Sequence, residues 1–137
     1  MTEINRKIFK QYDIRGIYPG ELDEKAAFLI GKVCARKFKS GVFIAGYDVR
    51  FSSKPLLSSF LKGFKEESKE LRKNFSIKTT NLVTTPMFYF LVNRLKAVGG
   101  VMATASHNPS EYGGFKIVAK GAQMVSGKEI GELVDKL

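Results

Sequence analysis

The chain has little of several things that would assign its class at once. One cysteine, Cys34, in 137 residues excludes an intramolecular disulfide, and no cysteine and histidine grouping has zinc-ligand spacing. No apolar run approaches the roughly 20 residues a membrane-spanning helix needs. The opening Met-Thr-Glu-Ile-Asn-Arg-Lys lacks the apolar h-region of a secretory signal, so no membrane association and a cytoplasmic location are the default expectations. Repeats and low-complexity stretches are absent. His107 is the sole histidine, no Gly-x-Ser-x-Gly elbow occurs, and the adjacent Ser106 and His107 would point to opposite sides of an extended segment, which argues against a Ser–His hydrolase.

What is present fits one globular domain with its own core: 44% hydrophobic and 26% charged residues over 137 positions. A formal charge of +10 is large for this length. It is compatible with nucleic-acid binding, with attraction of small anionic substrates, or with lysines on solvated helix faces. Residues 62–73 favour the last, since Lys62, Lys65, Lys69, Arg72 and Lys73 alternate with Glu66, Glu67 and Glu70 at helical spacings. The aromatics form no stripe with the basic residues, which argues against a nucleic-acid platform.

Periodicity predicts alternating helices and strands. Asp23 caps a helix to about Phe38, in which Cys34 sits on the apolar side as a small hydrophobe. Val42–Gly46 reads as a buried parallel strand, followed by polar Tyr47-Asp48-Val49-Arg50-Phe51-Ser52-Ser53. The serines are read as caps of a helix reaching about Lys73, ended by Asn74, with Leu57, Leu61 and Phe64 inward; Arg50 is left open. Phe75–Leu82 follows as a strand, with β-branched Ile77, Thr79 and Thr80. A helix over Met87–Lys96 has Phe88, Leu91, Val92 and Leu95 as core candidates. Ser126-Gly-Lys-Glu129 is a capping box opening a last helix. That helix stops without a terminator, so the chain is expected to be a fragment of a longer protein.

The apolar run Gly99–Ala103 ends abruptly at Thr104-Ala105-Ser106-His107-Asn108-Pro109, and a new strand begins near Gly113. Asn108-Pro109 forces a turn, so Ser106 is expected on an exposed loop at a strand end, with Lys116 brought back nearby. The two flanking strands lie too close in sequence for a helical crossover and should be antiparallel. The fold class expected is α/β, a three-layer sandwich with a small mixed β-sheet between helices.

Thr104–Pro109, with Tyr112 and the Gly-Phe-Lys of 114–116, resembles the active-site segment of the α-D-phosphohexomutases, in particular the phosphomannomutase/phosphoglucomutase group. Tyr12-Asp13-Ile14-Arg15-Gly16 resembles the same group's N-terminal signature, and Gly46–Ser52 its Gly-x-Asp-x-Arg-x-Ser segment near the cleft. The resemblance covers essentially the whole chain but only about the first third of a typical member, the first of four domains. It implies that Ser106 carries a phosphoryl group and that Arg15 lies beside it, as an arginine fork suits phosphate. Lys116, and with it His107, would assist proton transfer, and Tyr12, Arg15, Asn108 and Lys116 would border the substrate. The reaction implied interconverts 1- and 6-phosphates of a hexose, with mannose and glucose phosphates favoured, through a bisphosphate. Mg²⁺ would be held between the Ser106 phosphate and an Asp-rich loop of the second domain. That loop lies outside this sequence, so the isolated chain is expected to be inactive and to need the remaining domains of the same protein. One departure is Gly113, where the family commonly has asparagine; near Asn81 members often have glycine, so the resemblance implies a left-handed conformation there, which asparagine tolerates best after glycine. The alternatives are a phosphosugar- or phosphoprotein-binding module without turnover, and a basic nucleic-acid-binding domain.

Overall fold

Strands β1 (Ile14–Ile17), β2 (Gly41–Tyr47), β3 (Phe75–Leu82) and β4 (Gly99–Ala103) alternate with helices α1 (Glu24–Lys37), α2 (Ser53–Glu70) and α3 (Thr85–Arg94), and strands β5 (Tyr112–Ala119) and β6 (Gln123–Val125) then lead to helix α4 (Gly127–Asp135). In the computed structural model, which describes residues 3–137, the strands form one mixed sheet ordered β1-β5-β4-β2-β3, with β6 also on β5. Residues 1 and 2, part of the stretch read above for a signal, lie outside the described residues. β2 is parallel to β3 and β4, whereas β5 is antiparallel to β4, β1 and β6. Helices on both faces complete the three-layer α/β sandwich. No helix of the described residues is long and apolar enough to cross a membrane.

One face of the sheet is covered by α1, α2 and α4 over a phenylalanine cluster. Phe43 stacks on Phe64 at 4.4 Å between ring centroids, and Phe60 and Phe115 are equally buried. α1 and α2 touch backbone to backbone. A Cβ at Gly31 would lie 2.0 Å from the Phe60 carbonyl oxygen, and one at Gly63 equally close to that of Phe28. Cys34 is fully buried in this layer, and burial pushes its thiol up, so it behaves as the small hydrophobe expected. The other face carries α3, whose Phe88 and Val92 pack on Ile44, Met102 and Val118.

Local chemistry starts and stops these elements. Asp23 accepts from the Ala26 N–H at 2.9 Å, Thr84 caps α3, and Ser126 accepts from the Glu129 N–H at 3.0 Å. At the end of α1 the Lys73 ammonium donates to the carbonyls of Ala35, Arg36 and Phe38 at 2.9, 2.9 and 2.8 Å. A cation there satisfies orphan carbonyls and complements the helix dipole. Asn81 adopts φ 56°, the left-handed conformation expected, where β3 inserts an extra residue against β2 between Ala45 and Tyr47.

Some boundaries differ from the periodic reading. α2 ends at Glu70, before Asn74, because Arg72 already turns left-handed at φ 55°. Leu95, a core candidate, is 42% exposed, because α3 stops at Arg94 and only Phe88 and Val92 form its buried stripe. Ser52 does not cap α2 through its side chain. Its backbone is already helical (φ −79°, ψ −22°), and its buried Oγ has no partner among the described residues. That hydroxyl faces the family departure: a Cβ at Gly113 would stand 3.1 Å from Ser52 Oγ and 2.7 Å from Leu56 Cδ1.

Candidate functional site

Two parallel strands set the site's frame. The β2–β4 register pairs Tyr47 with Ala103, so Asp48 and Thr104 leave the sheet side by side at its carboxyl ends, where open α/β sheets present their ligands. Thr104 Oγ1 donates to Asp48 Oδ2 at 2.7 Å, and the Asp48 N–H donates to the Ala103 carbonyl at 3.1 Å. Asp48 Oδ1 accepts from the Arg50 N–H at 3.0 Å and from the Ser53 hydroxyl at 2.5 Å. Its carboxylate is thus taken up by three donors that tie β2, α2 and the post-β4 loop together.

The loop after β4 turns sharply at Ser106, which has φ 54°. A left-handed conformation costs a non-glycine residue about 1–3 kcal/mol and persists where its neighbours over-determine it. Here the Ser106 N–H donates to Thr104 Oγ1 at 3.0 Å, and the Ser106 carbonyl accepts from Arg50 Nη2 at 2.8 Å. Arg50 Nη2 also donates to the Asn108 carbonyl, and Nη1 to those of Pro109 and Tyr112 at 2.7 and 3.2 Å. Asn108 Nδ2 closes the turn on the Ala105 carbonyl at 2.8 Å.

Of the residues singled out from the sequence, Ser106, His107 and Lys116 line one open cavity of about 670 Å³, together with Asp48, Thr104 and Met102. Ser106 and His107 are exposed and Lys116 half-buried. Lys116 reaches the cavity because it pairs across β4 with Met102, on the sheet face that carries α3. Tyr12 lines a smaller adjoining cavity of about 90 Å³, which also contains Lys116, Asp13 and Tyr89.

Arg15 pairs across β1 with Gly114, two positions from Lys116, and therefore lies on the same face as that lysine. A Cβ on Gly114 would meet Arg15 Cγ at 3.1 Å, so the bare glycine leaves room for the arginine stem. Arg15 lines neither cavity, and its Nε donates to Asp13 Oδ1 at 2.8 Å. The Asp13–Arg15 pair is therefore formed, while Nη1 and Nη2 have no protein acceptor among the described residues. Asn108 lines neither cavity, its side chain being used inside the loop.

Sequence reasoning left Arg50 open and passed over Asp48 and Thr104 as site residues. The available signals were that both polar segments follow buried strands directly and that each resembles a family segment at or near the site; the pairing of β2 with β4 that brings them together was not legible. The donor set does not make a metal centre. Among the described residues there is no group of three or more His, Cys, Asp or Glu placed to hold an ion, and Asp48 is engaged by hydrogen bonds. A phosphate on Ser106 would add one oxygen, so these residues alone do not fit Mg²⁺.

Comparison with known proteins bears on this arrangement. The profile of the family described as phosphoglucomutase/phosphomannomutase, alpha/beta/alpha domain I, matches residues 6–137. A phosphomannomutase of Methanocaldococcus jannaschii is 44% identical over 115 residues, 84% of this chain and 24% of that protein. A phosphoglucomutase of Neisseria meningitidis serogroup B is 37% identical over 137 residues, 98% of this chain and 28% of that protein. A solved phosphoglucomutase/phosphomannomutase family protein of Burkholderia thailandensis superposes with a TM-score of 0.79 at 29% identity, covering 98% of this chain and 30% of its own. The chain thus spans about a quarter of the length of these curated relatives.

Proposed function

The chain belongs to the phosphoglucomutase/phosphomannomutase family as its α/β/α domain I, and from that premise we propose that Ser106 is the phosphoryl carrier of a hexose-phosphate mutase. The observation that supports this reading is the exposed Ser106 hydroxyl, set beside His107 and Lys116 at the mouth of one cavity. Phosphoryl transfer asks chiefly for positioning and for charge around the phosphate, which this arrangement can supply.

In the first half-reaction the Oγ–P bond of phospho-Ser106 breaks as phosphorus bonds to the free hydroxyl oxygen of a hexose phosphate. The hydroxyl proton passes to a base, a role that falls to Lys116 or His107, and the departing Ser106 Oγ takes up a proton as its bond to phosphorus breaks. The resulting hexose 1,6-bisphosphate turns over. In the second half-reaction the other sugar–phosphate P–O bond breaks, Ser106 Oγ bonds to phosphorus, and the serine proton ends on the released sugar oxygen. The free Nη groups of Arg15 supply positive charge to the phosphate, and Lys116 does so in its protonated form, once it has taken a proton. Tyr12 borders the adjoining cavity, along which a sugar ring would extend, and Asn108 acts by shaping the loop. Mannose and glucose phosphates are the substrates this reading favours. Mg²⁺ would take its carboxylate ligands, and the sugar its remaining contacts, from other domains of the same protein.

The test is phosphate on Ser106. The product of the complete gene, incubated with hexose 1,6-bisphosphate and mapped by mass spectrometry, should carry one phosphate at Ser106 and none in Ser106→Ala. Phosphate found elsewhere, or nowhere, overturns the reading. Residues 1–137 alone should give no turnover of mannose 1-phosphate; conversion by that chain would contradict the dependence on further domains.

A further inference from the structure

We infer that Arg50 is the positioning residue of the phosphoryl site, orienting the peptide between Ser106 and His107 so that the serine hydroxyl and the His107 N–H both point where phosphate would bind. The inference rests on the reading of Ser106 as the carrier and deepens it. Besides its hydrogen, the Ser106 Cα carries three groups, and two are fixed. The N–H is held by Thr104 Oγ1 and the carbonyl by Arg50 Nη2, which leaves the side chain to project into the cavity it lines. Both restraints return to Asp48, which accepts the Thr104 hydroxyl on one oxygen and the Arg50 N–H on the other. One carboxylate therefore fixes the left-handed serine from both sides.

The same geometry aims the next amide. The only cis peptide among the described residues is Tyr18–Pro19, so the Ser106–His107 peptide is trans and its N–H points opposite to its carbonyl. With that carbonyl on Arg50, the His107 N–H is turned away from the guanidinium, and it has no acceptor among the described residues. An oriented, unpaired N–H beside a serine hydroxyl is a preorganised donor for a phosphate oxygen.

Arg50 itself is not a substrate anchor. It does not line the cavity, its side chain is 12% exposed, and its Nη groups are engaged by the carbonyls of Ser106, Asn108, Pro109 and Tyr112. A planar fork can serve carbonyls arrayed in this way, whereas a lysine ammonium has three donors radiating from one point. The clamp therefore requires arginine rather than positive charge alone.

The test uses Arg50→Lys and Arg50→Met with two readouts. In the 137-residue chain, the Ser106 carbon shifts and HN–Hα coupling report the left-handed backbone without any substrate. Both variants should lose that signature while the strand signals of β2, β4 and β5 persist. Should Arg50→Met fail to fold, Arg50→Lys, which keeps charge and stem, carries the same measurement. In the complete gene product, uptake of phosphate by Ser106 from hexose 1,6-bisphosphate should slow about 100-fold in both variants, with KM for the sugar phosphate unchanged, as for a group displaced by about an ångström. A left-handed Ser106 signature that survives in Arg50→Lys or Arg50→Met, or phosphate uptake at the wild-type rate, overturns the inference. Shifts that depend on Arg50 in a wild-type protein that never takes phosphate would overturn the carrier reading instead.

Discussion

Beneath the sheet, Phe43, Phe60, Phe64 and Phe115 are fully removed from solvent and lock α1 and α2 onto the strands by close packing. At its carboxyl rim, residues 104–112 hold their shape with hardly any apolar burial after Ala105, through directed bonds to Asp48 and Arg50. Burial is non-directional and tolerates small shifts of any one side chain. Hydrogen bonds to a charged group are directional and strong, and they fail together when their hub is lost. The phenylalanine layer therefore supplies stability, and the rim supplies geometry. A hydroxyl that must stay exposed to react has to be placed by the second kind of force.

The largest test of this division is Phe64→Ala. It should lower unfolding free energy by about 3–5 kcal/mol in denaturant titrations, while Ser106 keeps its left-handed signature in the molecules still folded. Loss of that signature at low denaturant would show that the rim leans on the core after all. Next in size is Thr104→Val, which removes the link between Asp48 and the Ser106 N–H. A cost of about 1–3 kcal/mol is expected, with faster hydrogen exchange at the Ser106 amide and unchanged exchange in β3. Uniformly faster exchange would argue against a local role.

Asn81→Val comes third, at about 1–2 kcal/mol, because a β-branched residue is poorly suited to φ 56°. Asn81→Gly should be close to neutral, and equal losses in both would refute the backbone explanation. The smallest effect runs the other way. Ser52→Ala removes a buried hydroxyl without a partner and should raise stability by about 1 kcal/mol. A loss in the same thermal or denaturant titration would mean that the hydroxyl is satisfied by bound water.

The residues most readily placed from sequence were those whose neighbours in the chain determine them. The stripe of α1, the Ser126 cap and the antiparallel β4–β5 pair all follow from spacing within one or two elements, whereas the left-handed Asn81 was legible through the family resemblance. Thr104–Pro109 and Lys116 were legible as a unit for the same reason, being joined by one short loop. Ser52 looked like a cap because serine before a helix usually is one; its helical backbone and the packing of Leu56 against Gly113 decided otherwise. Arg50 stood in a Gly-x-Asp-x-Arg-x-Ser segment resembling one near the family's cleft, but nothing in that spacing named its acceptors. Its acceptors lie 56 to 62 residues away along the chain.

The sequence by itself determined the layers, the order of the four helices and of strands β2 to β5, and the group of Ser106, His107 and Lys116 at a strand end, because hydrophobic period and turn residues act over a few positions; the short β6 it did not show. Only the tertiary structure decided that Asp48 and Arg50 hold that loop. Their partners are set by β2 lying parallel to β4 with Tyr47 opposite Ala103, and such a register is fixed by packing the whole sheet between its helices.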